Sequence, residues 1–223
     1  MIGLEVPRVQ GRPLRVLALG AHSDDIEIGC GGTLLALQQR HPQLEITWVV
    51  LGAAGRRARE AERSARAFVR PAARGEIIVR GFRDGFFPHS GAEVKEYFEL
   101  LKHASSPDII FTHRLEDRHQ DHRVVAELTW NTWRDHFILE YEIPKYDGDF
   151  ISPNVYVPLT PRLCRRKLSL LARHFPSQAT KHWFTEDLFW GLLRLRGMES
   201  GGSGNYAEGF VARKVLWSFA GSR

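Results

Sequence analysis

A chain of 223 residues with 43% hydrophobic and 26% charged side chains has the composition of an ordinary globular protein, which excludes a disordered or fibrous one. Its formal charge of +5 comes from scattered arginines with one local run from Arg56 to Arg74, too little to imply a nucleic-acid partner. Two distant cysteines, Cys30 and Cys164, exclude a disulfide framework, and no segment approaches the roughly 20 apolar residues of a spanning helix or has a leader pattern, so a cytoplasmic protein is expected.

Leu14 to Leu19 is a short apolar run with β-strand character that ends at Gly20. A polar turn follows, and Gly32-Thr33-Leu34-Leu35-Ala36-Leu37 predicts the start of a helix. Glu45 to Leu51 is the second strand, residues 57–69 the second helix and Glu76 to Val79 the third strand. On that helix Arg56-Arg57-Ala58-Arg59-Glu60-Ala61-Glu62-Arg63 sets opposite charges three and four residues apart, the pattern of a solvated face. Gly91 to His103 predicts a third helix, Asp108 to Thr112 a fourth strand, and Asp121 to Thr132 a fourth helix with Val124, Val125 and Leu128 on one face.

Short apolar strands alternating with helices predict an α/β fold. It is a three-layer, mostly parallel sheet of order 3-2-1-4-5 with helices on both faces. Past Trp133 the pattern loosens: Phe137 to Tyr141 and Asn154 to Val157 read as strands, Arg162 to His174 as a helix, and Gly201-Gly202-Ser203-Gly204 as a mobile loop. No repeat or linker divides the chain. The expectation is a single domain over 1–223, with a core from about 14 to 160 and a C-terminal part that completes the pocket.

Two clusters of acids and histidines follow two of these strands. His22-Ser23-Asp24-Asp25 comes just after the first strand and His119-Gln120-Asp121-His122 a short loop after the fourth. In a doubly wound sheet the first and fourth strands are neighbours, and ligands bind in the crevice at their carboxyl ends. Read alone, each cluster is a helix cap or a charged surface turn. The strand order brings both to one crevice.

Two imidazoles and one carboxylate, with one position open to water, are the ligand set of a hydrolytic zinc centre. His22, Asp25 and His122 supply the three ligands. Asp24, beside a ligand, is placed to act as general base. His119, three residues before His122, faces the open position and can stabilise an oxyanion and pass a proton to the leaving amine, with Asp121 orienting it. Zn2+ is the expected cofactor, one per chain, although another divalent metal suits the same ligands. His113, at the end of the fourth strand, is a second-rank candidate. His41, His89, His103, His136, His174 and His182 read as surface or packing residues. Gly29-Cys30-Gly31-Gly32 is neither GxGxxG nor a P-loop, and the acids before it would repel a pyrophosphate; its glycines read as close packing beside a ligand.

The stretch Ala21-His22-Ser23-Asp24-Asp25-Ile26-Glu27-Ile28-Gly29-Cys30-Gly31-Gly32-Thr33-Leu34 resembles the AHPDDE…GCGGTL signature of the PIG-L/LmbE-like zinc deacetylases, and His119-Gln120-Asp121-His122 resembles their HPDH motif. The resemblance implies a Rossmann-like fold and hydrolysis of the N-acetyl group of an N-acetylglucosamine-type sugar or sugar conjugate. It matches His22, Asp25 and His122 to the metal ligands, Asp24 to the general base, and His119 and Asp121 to the histidine and its acid. It further matches Asp84, in Arg83-Asp84-Gly85, and Arg57 or Arg59 to substrate-binding positions. Ser23 stands where the family has Pro, and Ile26 where it has Glu; neither departure touches a ligand. A small-molecule or carbohydrate-conjugate substrate is therefore expected, and a homo-oligomer is compatible with the sequence. Two other readings stand beside this one. The first is hydrolysis of a different amide, such as an N-acylated antibiotic or a thiol-sugar conjugate. The second is non-catalytic sugar or nucleotide binding through the arginine-rich face.

Overall fold

The first five strands lie parallel because each of the first four is followed by a helix that packs back onto the sheet before the next strand begins. They are β1 (Arg15–Gly20), β2 (Glu45–Val50), β3 (Arg74–Val79), β4 (Ile109–His113) and β5 (Phe137–Tyr141). The computed structural model describes residues 3–6, 9, 11–70, 74–201 and 204–216, so Gly202 and Ser203 of the predicted mobile loop lie outside the described residues. Strand order is β3-β2-β1-β4-β5-β7-β6, where β6 (Val155–Leu159) and β7 (Tyr206–Val211) pair antiparallel. The expected 3-2-1-4-5 order is thus extended by a β7-β6 edge.

Alternation along β1 sorts the two cores. Val16 and Ala18 face one side, with Trp48, Phe111 and Tyr141, under α1 (Asp25–Arg40), α2 (Gly55–Val69) and α5 (Pro161–His174). Leu17 and Leu19 face the other, with Val49, Ile110, Phe98 and Trp133, under α3 (Gly91–Ala104) and α4 (Gln120–Thr132). On α2, Arg66 pairs with Glu62 at 3.2 Å on a solvated face as expected. Glu60, paired with Arg56 at 3.1 Å, departs from that reading: it is buried and accepts from the Ser177 N–H at 3.1 Å.

Two elements depart from the sequence reading. First, α1 begins at Asp25, seven residues before the predicted start at Gly32. Three glycines argue against a helix on propensity, at about 1 kcal/mol each, but here the packing requires them. A Cβ on Gly29 would sit 2.2 Å from Tyr141 Cδ2, and one on Gly32 would sit 2.4 Å from Leu159 Cδ1. Tyr141 has no room to retreat, because its hydroxyl donates to Leu19 O at 2.6 Å. Gly29→Ala is therefore expected to cost about 1–3 kcal/mol of stability through overpacking, read as a lower urea midpoint at unchanged slope.

Second, α6 (Glu186–Glu199) and β7 are absent from the sequence reading. Phe189 and Leu193 of α6, one turn apart, and Phe210 of β7 are buried in the core, and buried charges pin both elements in place. Arg196 on α6 makes a bidentate pair with Glu142, both contacts at 2.7 Å. Glu208 on β7 pairs with Lys167 at 2.6 Å and accepts from Gly32 N and Thr33 N at 2.8 and 2.7 Å, while Lys167 donates to Ile28 O. These contacts clamp α1, which carries the first cluster, against the sheet.

Candidate metal centre

The crevice between β1 and β4 collects both clusters. The β1 chain leaves the sheet at Gly20, and three residues after His22 the chain turns into α1, with Asp24 as N-cap and Asp25 as first residue. The His22 N–H donates to Asp25 Oδ2 at 2.6 Å, which folds the turn onto itself. From β4, the loop 114–118 leads into α4, whose N-cap is His119; its Nδ1 accepts from the Asp121 N–H at 3.2 Å. With Nδ1 an acceptor, the proton of neutral His119 sits on Nε2.

Three ligand atoms converge. His22 Nδ1 lies 3.2 Å from His122 Nε2 and 3.5 Å from Asp25 Oδ2, and His122 Nε2 lies 3.6 Å from that same oxygen. Ligands of a tetrahedral zinc, each about 2.0–2.1 Å from the ion, stand about 3.4 Å apart. The three edges fit one cation, and all three residues are buried. The two imidazoles have carboxylates at their far nitrogens. His22 Nε2 is 3.1 Å from Asp121 Oδ2 and 3.0 Å from Asp84 Oδ1, and His122 Nδ1 is 3.1 Å from Asp117 Oδ2. A ligating histidine is ordinarily supported by such a carboxylate. For His22 the contact to Asp121 is a hydrogen bond, whereas His122 Nδ1 and Asp117 Oδ2 meet at ion-pair distance without hydrogen-bond alignment.

The adjacent carboxylates Asp24 and Asp25 are pushed in opposite directions. Burial raises Asp24 above the usual carboxylate range, and the Arg57 guanidinium, 2.8 Å from Oδ1, offsets this only in part. Burial acts on Asp25 too, but the surrounding His122, His113 and His22 rings outweigh it and hold it well below that range. Separation of this kind divides one residue as a permanent anion from its neighbour as a base. Asp24 Oδ2 is buried with no hydrogen-bond partner. His122 is pushed down to about 3, by burial first and by His113 next, and is therefore neutral, the form that ligates a metal. Burial and the neighbouring His22 likewise lower His119. Its Nε2–H is then a neutral donor.

Most of the expected residues are brought together, with some changes of partner. Asp121 does not orient His119: its carboxylate accepts from Gly85 N at 2.6 Å and Phe87 N at 3.1 Å and reaches His22, touching His119 only through its own main-chain N–H. The reason is that Asp121 points back from the first turn of α4 toward the loop after β3, while His119 sits outside the helix as its cap. Asp84 reaches the cluster from an Asp-Gly turn whose Gly85 has φ +77°, and its side chain is 76% exposed. Arg57 reaches Asp24, whereas Arg59, two residues further along α2, is exposed. His113, the second-rank candidate, is fully buried beneath the site, with Nε2 at 3.1 Å from Asp25 Oδ2 and its ring stacked 3.8 Å from His122. Among the described residues, the groups able to hold a metal contain His22, His113, His119 and His122 but none of the other six histidines. Asp117 was missed. The signal was present: an imidazole ligand wants a carboxylate behind it, and loop 114–118 carries Glu116 and Asp117.

A family model described as PIG-L, GlcNAc-PI de-N-acetylase, matches residues 17–133, just over half of the chain. Among solved structures, the fold is similar to the conserved protein TT1542 from Thermus thermophilus (TM-score 0.68, 20% identity, 94% of this chain and 99% of that one). It is also similar to the N,N'-diacetylchitobiose deacetylase of Pyrococcus horikoshii (0.67, 22%, 90% and 84%). A third likeness is to the 4-carboxy-2-hydroxymuconate hydratase GalB of Pseudomonas putida (0.69, 15%, 93% and 100%). At these identities the likeness establishes the fold, and a fold shared by a deacetylase and a hydratase leaves the chemistry to be read from the site.

Proposed function

Since the chain belongs to the PIG-L family of GlcNAc-PI de-N-acetylases, we propose that it is a metal-dependent hydrolase that removes the N-acetyl group from an N-acetylglucosamine-type sugar or sugar conjugate. The observation that carries this reading is the convergence of His22 Nδ1, Asp25 Oδ2 and His122 Nε2 on one point, with an unpartnered Asp24 oxygen beside it. These three atoms hold the metal, with zinc the first choice for an imidazole and carboxylate set. Bound there, a divalent ion polarises a carbonyl oxygen and makes water acidic near neutral pH.

The chain's own groups do the rest. Asp24, raised by burial and steadied by Arg57, takes a proton from the attacking water on its free Oδ2. As the water oxygen bonds to the amide carbon, the carbonyl oxygen gains negative charge, and His119 Nε2–H donates to it. The carbon–nitrogen bond then breaks as the leaving nitrogen takes the proton that Asp24 accepted from the water, while neutral His119 keeps its Nε2–H as a hydrogen-bond donor rather than giving it up. The products are acetic acid, which ionises to acetate, and a free amine. Asp121 holds the His22 ring, locked in turn by two main-chain donors. Asp84 is solvent-exposed beside His22 and is assigned to a sugar hydroxyl. Arg57 is assigned to substrate as well, since part of its side chain remains open. Arg59 is the weaker assignment, being exposed on α2.

Purified protein is expected to release acetate from N-acetylglucosamine derivatives, in a screen that runs over free, nucleotide-linked and lipid-linked forms. A marked preference for longer acyl chains or non-sugar amines would replace this substrate with another amide. Binding of sugars without any acetate release would overturn the enzymatic reading.

A further inference from the structure

Behind His122 lies a closed set of buried charges that no step above uses. Asp117, whose side chain is 0% exposed, splits its carboxylate: Oδ2 is 3.1 Å from His122 Nδ1, while Oδ1 accepts from the His119 N–H at 2.8 Å and stands 3.1 Å from Lys145 Nζ. Lys145 also contacts both oxygens of Asp149 at 2.7 Å. Asp149 is returned to it by a turn at Gly148, φ +59°, and is held by the Arg118 N–H at 2.8 Å and by Arg114 at 2.6 Å. Two acids and two bases therefore balance in the interior, all with side chains no more than 10% exposed.

The position of this set decides its use. A buried carboxylate is costly unless paired, and Asp117 can face His122 as an anion only while a cation compensates it from the other side. Lys145 is that cation. It comes from the connection after β5, a segment that otherwise has no part in the centre. The same carboxylate also fixes the main chain at His119, so one contact serves a metal ligand and the neighbouring donor together.

We propose that Lys145 is a positioning residue of the metal centre, acting through Asp117 to hold His122 in its ligating orientation. The inference rests on the reading of His22, Asp25 and His122 as metal ligands. The test is zinc affinity of the full chain by chelator competition, with no substrate present. Lys145→Met and Asp117→Asn are each expected to weaken zinc binding about 10–100-fold, the range for loss of a ligand's supporting partner. The double variant is expected to bind no more weakly than Asp117→Asn alone, because Lys145 has no route to the metal once Asp117 is neutral. Asp149→Asn, which loosens Lys145 without removing its charge, is expected to show a smaller loss in the same direction, and serves if Lys145→Met does not fold. Wild-type affinity in Lys145→Met, or full additivity in the double variant, would overturn the proposal. If the unaltered chain binds no zinc, the reading of the centre itself fails, and the two failures are thus distinct.

Discussion

Asp24→Asn is expected to lower turnover about 10²–10⁴-fold, the contribution of a positioned general base, with metal content unchanged. The two adjacent carboxylates have different fates. Asp25 Oδ2 is tied to the His22 N–H at 2.6 Å and lies among three imidazoles, while Asp24 meets Arg57 through Oδ1 and keeps Oδ2 free. Asparagine preserves the bond to Arg57 and the N-cap position of α1 but has no basic oxygen to take a proton. The loss should therefore fall on the chemical step and not on metal retention. Acetate release measured beside metal content separates the two, and a variant with wild-type turnover would remove Asp24 from the role of base.

His122→Ala is expected to abolish both metal binding and turnover. It deletes one of three ligand atoms, so the loss should exceed the roughly 10–100-fold that follows from removing a supporting partner alone. It also strips Asp117 of its imidazole, leaving that carboxylate with Lys145 and the His119 N–H. The metal-free variant should consequently be less stable than metal-free wild type, since a buried anion loses a neighbour. Chelator competition and thermal unfolding check the two parts. Retention of tight metal binding would contradict the ligand assignment.

The site was more legible in the sequence than the frame that supports it. Strand order 3-2-1-4-5 is enough to bring His22 and His122 together across 100 residues, because the switch point depends only on which strands are neighbours. The partners behind the ligands were not legible in the same way. Whether Asp121 turns to His119 or to His22 depends on the loop after β3, whose Gly85 and Phe87 amides capture the carboxylate from 36 and 34 residues away. The tie of Lys145 to Asp117 likewise spans two loops that carry no periodic signal.

The misplaced start of α1 has a different cause. Gly29, Gly31 and Gly32 carry a local helix penalty, and only the approach of Tyr141, Phe68 and Leu159 shows why no larger residue stands there. For α6 the apolar spacing of Phe189 and Leu193 was a helical signal that the sequence reading passed over. The ion pairs that pin α6 and β7, Arg196 with Glu142 and Lys167 with Glu208, join distant positions that hydrophobic periodicity does not register. The choice between Arg57 and Arg59 turned on helix phase: two positions apart, they project to different sides of α2, and only Arg57 reaches Asp24.

The most direct measurement is reconstitution of activity by metal. Protein stripped by chelator and returned to metal-free buffer should release no acetate from an N-acetylated amino sugar. Titration with zinc or another divalent ion should restore turnover, reaching its plateau at about one ion per chain, the number that one three-ligand site can hold. Acetate release that persists undiminished in metal-free protein, or a native chain that binds no divalent ion, would contradict the account.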